Sequence, residues 1–288
     1  MSIQKNFIII FLFFAFNSYS TTPLTEQFKE YGYIELYDEY NESKTFESLY
    51  ILFDQLIEFL QKNRTWKQKL YMAKKSFIQS KERNIYSTNF FGFYDESQTK
   101  ERRQISFYYC IHFDTFISSN YPELKTIKPI SDFLKACNKI QQHYPTIFNQ
   151  AAVACEIKTI FTPYQETPPL LLKVVKYLPS YRATKPHYDG TVFSLFLNST
   201  DNEVLHLCPY KNSFNINNFI TPIRKKLHNS ILLIPGILLE EFSILPTPHI
   251  VTHNNKNRYA TIAFAMRPNY TTFCKQQLSP LPEYKNLE

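Results

Sequence analysis

Two histidines and a carboxylate constrain this chain more than any other feature: His187-Tyr-Asp189, then His249, then Arg258. Two imidazoles and one carboxylate are the donor set that occupies one face of an octahedral Fe(II) and leaves three positions open. Arg258 falls nine residues beyond His249, on what reads as the next strand, 258–266. A guanidinium so placed offers a planar fork to a carboxylate, such as that of a keto-acid cosubstrate. The combination is far more specific than any of its parts.

A His-x-Asp alone carries little weight, because His112-Phe-Asp114 has the same spacing. That pair precedes a Ser/Asn/Pro stretch, 118–122, read as a loop, and no arginine stands at the matching distance from a later histidine. His187 instead lies between the apolar run 170–178 and the run 191–197, with a Pro-Ser-Tyr-Arg loop before it. Strand, ligand-bearing loop, strand is how a barrel presents side chains from its rim. For the third ligand there are two candidates, His249 and His253, which a strand would turn to the same face. The spacing to Arg258 and the position at the start of the strand favour His249. His143, His206 and His228 have no partners at metal spacing.

The periodicity changes along the chain. Phe46, Leu49, Tyr50, Phe53, Ile57 and Leu60 recur at helical spacing, predicting one amphipathic helix from about Thr45 into the 67–75 region. Ser131 is a candidate cap for a second helix, with Phe133, Leu134, Cys137, Ile140 and Tyr144 as its stripe. Pro145 must break it, and Ile147, Phe148, Ala151 and Cys155 renew the pattern. From Leu170 strands follow: 170–178, 191–198, 203–208, 230–234, 249–252 and 258–266, with Pro235-Gly236 as a tight turn between ligand strands. The expectation is one mainly β domain with flanking helices over 21–288. It comprises a helical part to about 160, a sheet core at about 165–270 and a tail at 271–288.

Composition excludes several alternatives. The chain holds only four glycines, well under the roughly 7% typical of proteins, and none are spaced to bind a dinucleotide or cradle a phosphate. The five cysteines form no Cys-x-x-Cys pair, against zinc ribbons and dithiol redox chemistry. Net charge is +7, but the basic residues sit in short groups such as Arg224-Lys-Lys226, without the dense aromatic-laced stripe of a nucleic-acid surface. No nucleic-acid partner is expected.

These residues carry a resemblance. His187-x-Asp189, His249-Ile-Val251 and Arg258 resemble the isopenicillin N synthase-like branch of the Fe(II)/2-oxoglutarate-dependent dioxygenases. Upstream, Phe28 to Leu36 is similar to that family's amino-terminal strand, and Phe91-Gly-Phe-Tyr94 with 100–107 to its mid-chain segment. The likeness spans about residues 23–270. It implies a double-stranded β-helix (jelly-roll) core and Fe(II) held by His187, Asp189 and His249. It also implies 2-oxoglutarate as cosubstrate, paired with Arg258. The expected activity is hydroxylation, desaturation or cyclisation of a small organic or amino-acid-like substrate with O2, by a monomer; the alternatives are a non-catalytic secreted binding protein on the same fold and a 2-oxoglutarate-independent iron oxidase. Two departures touch the cosubstrate. The family's Arg-x-Ser ends here in Ala260, and its Asn-x-Tyr reads Lys176-Tyr-Leu178. Lys176 or Tyr177 is left to compensate, with Tyr177 at the opposite strand parity.

The amino terminus predicts export. Lys5 precedes an apolar run, 6–16, too short to span a bilayer, and small residues Ser18 and Ser20 then offer a cleavage site. Residues 1–20 thus read as a signal peptide whose removal leaves no membrane span, and amino-terminal sequencing of native material is expected to begin near Thr21. An intact Met1 or Ser2 in a soluble cytoplasmic fraction would refute this.

Overall fold

A computed structural model describes residues 23–38, 43–86, 88–99, 103–161, 169–179, 187–201, 204–208, 230–252 and 255–267. The expected signal segment, His228, His253 and the tail from 268 lie outside them. Among the described residues no helix is long and apolar enough to cross a membrane.

The strand-forming runs after Leu170 build most of one antiparallel sheet. Its strands are β1 (Ile34–Tyr37), β2 (Gly92–Asp95), β3 (Gln104–Tyr109), β4 (Leu170–Tyr177), β5 (Phe193–Ser199), β7 (Ser230–Pro235) and β9 (Arg258–Ala265), in the order β1-β7-β5-β9-β4-β3-β2. A second sheet pairs β6 (Leu205–Leu207) with β8 (His249–Val251). The architecture is the expected mainly β, jelly-roll core with flanking helices. The amino-terminal part is not purely helical, however. It supplies β1 at one edge and β2 and β3 at the other, because its short aromatic-rich runs extend open sheet edges.

Side chains alternate across the large sheet, so each strand serves two environments. Phe107 on the outer face meets Phe133 of helix Lys128–Gln141 edge-on, with ring centres 5.1 Å apart. Phe133 in turn stacks on Phe53 of helix Ser43–Lys62 at 5.2 Å. Asp54 of that helix accepts from Lys176 Nζ at 2.7 Å and from the Tyr259 hydroxyl, pinning the helix to β4 and β9. The opposite face carries Lys173, Tyr177, Arg258 and Ala260.

Three expectations need correcting. The predicted long helix is two, Ser43–Lys62 and Arg64–Gln79. Asn63, at φ −122° and ψ 78°, separates them, and its side-chain amide donates to the Phe59 carbonyl. Such local bonds compete with helix propagation. Ser131 is not a cap: the helix starts at Lys128 with Pro129 in its first turn, and Ser131 N already donates to the Ile127 carbonyl. The stretch 118–122 is not a loop, since helices Ile111–Asn120 and Pro122–Thr126 run through it. Pro145 does begin a new helix, Pro145–Ala154.

Phe133 is fully buried between two aromatic rings, so Phe133→Ala is expected to cost about 3–5 kcal/mol of unfolding free energy by chemical denaturation. A loss under about 1 kcal/mol would contradict this packing.

Candidate metal centre

The polypeptide itself brings the two histidines together. His187 N donates to the His249 carbonyl at 3.1 Å and His249 N to the His187 carbonyl at 3.0 Å, an isolated antiparallel bridge. The ring centres stand 4.3 Å apart. Two residues on, Asp189 joins them: one donor atom from each of His187, Asp189 and His249 lies within 4.8 Å of the others. His253 lies outside the described residues. His112 is elsewhere, its Nδ1 2.9 Å from the Tyr86 hydroxyl, while Asp114 pairs with Lys125. On a helix, residues two apart do not share a face.

Two of the three ligands, His249 and Asp189, are oriented from behind. His249 Nδ1 lies 3.3 Å from the Thr247 carbonyl, which can only accept, so Nδ1 carries a proton and Nε2 is the nitrogen turned toward Asp189, 3.8 Å from its Oδ2. Thr247 is itself fixed by donating to the Gly32 carbonyl at 2.5 Å. Ser194 Oγ donates to Asp189 Oδ2 at 2.6 Å from the start of β5. Burial alone would raise the Asp189 pKa; His249, His187, the Ser194 hydroxyl and Lys173 outweigh it and hold the carboxyl below its usual range. The backbone of the loop is held too. Gly236, Ile237 and Leu238 donate their N–H groups to the carbonyls of Val192, Asp189 and Thr191. Pro235-Gly236 is therefore less a tight turn than a close approach. Gly236 has ordinary extended dihedrals, but a Cβ there would stand 2.1 Å from the Thr191 carbonyl oxygen.

Arg258 is almost wholly buried, its Nε has no hydrogen-bond partner among the described residues, and it lines a cavity with Phe196, whose ring meets that of His249 edge-on at 5.7 Å. Burial lowers its pKa, opposed by Tyr177 and Asp201. The Tyr177 ring lies 4.1 Å from the guanidinium, because the two residues are paired across β4 and β9. This corrects the parity expectation. Tyr177 faces the cavity beside Arg258, whereas Lys176 points outward to Asp54 and leaves the cavity to its neighbour. Ala260 lines the same cavity, as do Ser199 and Asp201.

Sequence reasoning missed Ser194, Thr247, Ser199 and Lys173. Ser199 reaches the cavity only through a bulge between Phe196 and Asn198, which sets it opposite Ala260. Lys173 is held charged: burial would lower its pKa, but Tyr108, Tyr177 and Asp189 raise it above the lysine range. The signals available were Ser194 five residues after Asp189 and a lysine inside an apolar run.

No sequence-family model matches the chain, and no curated protein matches it in sequence. Solved structures do share its fold. AtDAO1, a dioxygenase for auxin oxidation from Arabidopsis thaliana, in complex with 2-oxoglutarate, matches with TM-score 0.55 and 13% identity over 85% of this chain and 88% of that one. A C-terminally truncated Neurospora crassa protein in its apo form matches with TM-score 0.51 and 16% identity over 84% and 85%. A protein assigned to the 2OG-Fe(II) oxygenase family from Caulobacter crescentus matches with TM-score 0.50 and 14% identity over 85% and 80%. At the level of fold, the likeness is to the Fe(II)/2-oxoglutarate oxygenases.

Gly236→Ala is expected to destabilise the protein by about 1–3 kcal/mol through the Thr191 clash, read by thermal or chemical unfolding. Gly190→Ala, whose Cβ would meet nothing within 4 Å, is the control and should stay within about 0.5 kcal/mol.

Proposed function

We propose that this protein is an Fe(II)- and 2-oxoglutarate-dependent oxygenase acting on a small organic substrate, in the manner of the isopenicillin N synthase-like branch. The observation that carries this reading is the meeting of His187, Asp189 and His249 donor atoms within 4.8 Å; a buried arginine, Arg258, with an unpartnered Nε supports it. Two neutral imidazoles and one carboxylate fit a divalent first-row metal, with Fe(II) as the ion expected when the remaining positions stay open. The neighbours with this fold, one of them bound to 2-oxoglutarate, favour the same chemistry.

Bound Fe(II) with 2-oxoglutarate and O2 would supply the oxidising power for hydroxylation, desaturation or ring closure. The chain's own residues position the reactants. Thr247 fixes the His249 tautomer, and Ser194 turns the Asp189 carboxylate. Arg258 offers its fork to the distal carboxylate of 2-oxoglutarate, with Tyr177 packed on the guanidinium. Buried apolar neighbours such as Ile262 and Val251 keep water from that pair.

Two measurements test the reading. Anaerobic protein should bind about one Fe(II) per chain. His249→Ala should abolish stoichiometric iron, while His253→Ala and His112→Ala should retain it; loss with His253→Ala alone would move the third ligand. Titration with 2-oxoglutarate, followed by the metal-to-ligand charge-transfer band, should show binding about 10- to 30-fold weaker than at a site with both missing hydrogen-bond partners. Arg258→Lys should weaken it further, because a point charge replaces a planar fork. Iron without any band at millimolar 2-oxoglutarate would favour direct oxidation of a metal-bound substrate, as in isopenicillin N synthase.

A further inference from the structure

The inner face of the large sheet carries one cation that the proposed iron and cosubstrate leave without a dedicated counter-ion. Lys173 of β4 stands opposite Tyr108 of β3 and Ile262 of β9, on the face that bears Tyr177 and Arg258. Its ammonium lies 5.6 Å from the centre of the Tyr108 ring and acts electrostatically on Asp189. Tyr108 stacks on Phe90 at 5.4 Å and meets Tyr94 edge-on at 5.5 Å. Lys74 Nζ sits over the Tyr94 ring at 3.8 Å. Phe90 is 52% exposed, so this aromatic strip leads from Lys173 to solvent.

Local charges decide what Lys173 is for. Once a divalent ion takes the Asp189 carboxylate, that group and the chelating carboxylate of 2-oxoglutarate together neutralise the ion. At the far end, Arg258 has the distal carboxylate, with Asp201 close by. Lys173 is half-buried and makes no ion pair among the described residues, so its ammonium remains open to an incoming anion. The Tyr108 ring offers it a cation–π contact but no charge.

Resting on that reading of the site, we propose that the substrate is a small organic anion whose negative group pairs with Lys173 and whose apolar body lies along Tyr108 and Phe90. Lys173 would then decide specificity, separate from the cosubstrate contact at Arg258.

The test is calorimetry on the Zn(II)-loaded protein saturated with 2-oxoglutarate, using matched acid and amide probes: phenylacetate against phenylacetamide, and butyrate against butyramide. An acid should bind at least about tenfold tighter than its amide, the size of one charge-assisted hydrogen bond. Lys173→Met should bring that ratio to within about twofold, and Lys173→Arg should restore most of it, since the charge returns. The wild-type comparison stands without any variant. Equal binding of acid and amide, a preference that survives Lys173→Met, or no acid binding below roughly 10 mM would overturn the proposal. Zinc content and 2-oxoglutarate binding on the same preparation separate the two levels of argument. If these are absent, the oxygenase reading falls; if they are present, only the substrate class does.

Discussion

The paired backbone bonds between His187 and His249 are the constraint on which the candidate site depends. They join the segment that begins at His187 and leads into β5 to a strand of the small sheet, so residues far apart in sequence present their rings 4.3 Å from one another. Because both bonds are main-chain, the juxtaposition survives any motion of the imidazoles themselves. Asp189 follows two residues later and inherits its place from the same segment, which the Gly236–Leu238 backbone grips from below. A metal site works when its ligands are held before the ion arrives. Here main-chain bonds supply most of that holding, and Ser194 and Thr247 complete it.

The large sheet makes this arrangement sustainable by giving its two faces different tasks. Outward, Phe107, Phe133 and Phe53 form a dry aromatic stack, and Asp54 ties the covering helix to Lys176 and Tyr259. Inward, the same strands carry Lys173, Tyr177 and Arg258, groups that cost free energy to bury. The stability of the outer face offsets that cost. Strand parity therefore separates core from chemistry within a single element, and neighbours such as Lys173 and Val174 belong to different parts of the molecule.

The cavity around Arg258 is built from what strand pairing brings to it. Ala260 stands where the resembled pattern has serine, and the strand opposite offers Ser199 through a bulge, its hydroxyl engaged with the Asp201 carbonyl. Tyr177 lies against the guanidinium face and so preserves its orientation, though not a second donor. Arg258 supplies the charge and the fork, and no described residue accepts from its Nε.

The triad, the strands from Leu170 onward and the helix start at Pro145 were legible in the sequence, because ligand chemistry, two-residue alternation and a missing amide are local properties. The helix break at Asn63 and the helical start ahead of Ser131 were not, since each turns on which of two local hydrogen bonds forms. The side of the sheet taken by Tyr177 and Lys176 is set by register against β9, and the reach of Ser199 by a bulge two strands away. Sequence by itself determined which groups could hold a metal. Tertiary structure decided which carbonyl orients His249, which hydroxyl turns Asp189 and which lysine acts on that carboxylate, because those partners are chosen by the packing of segments that no local pattern connects.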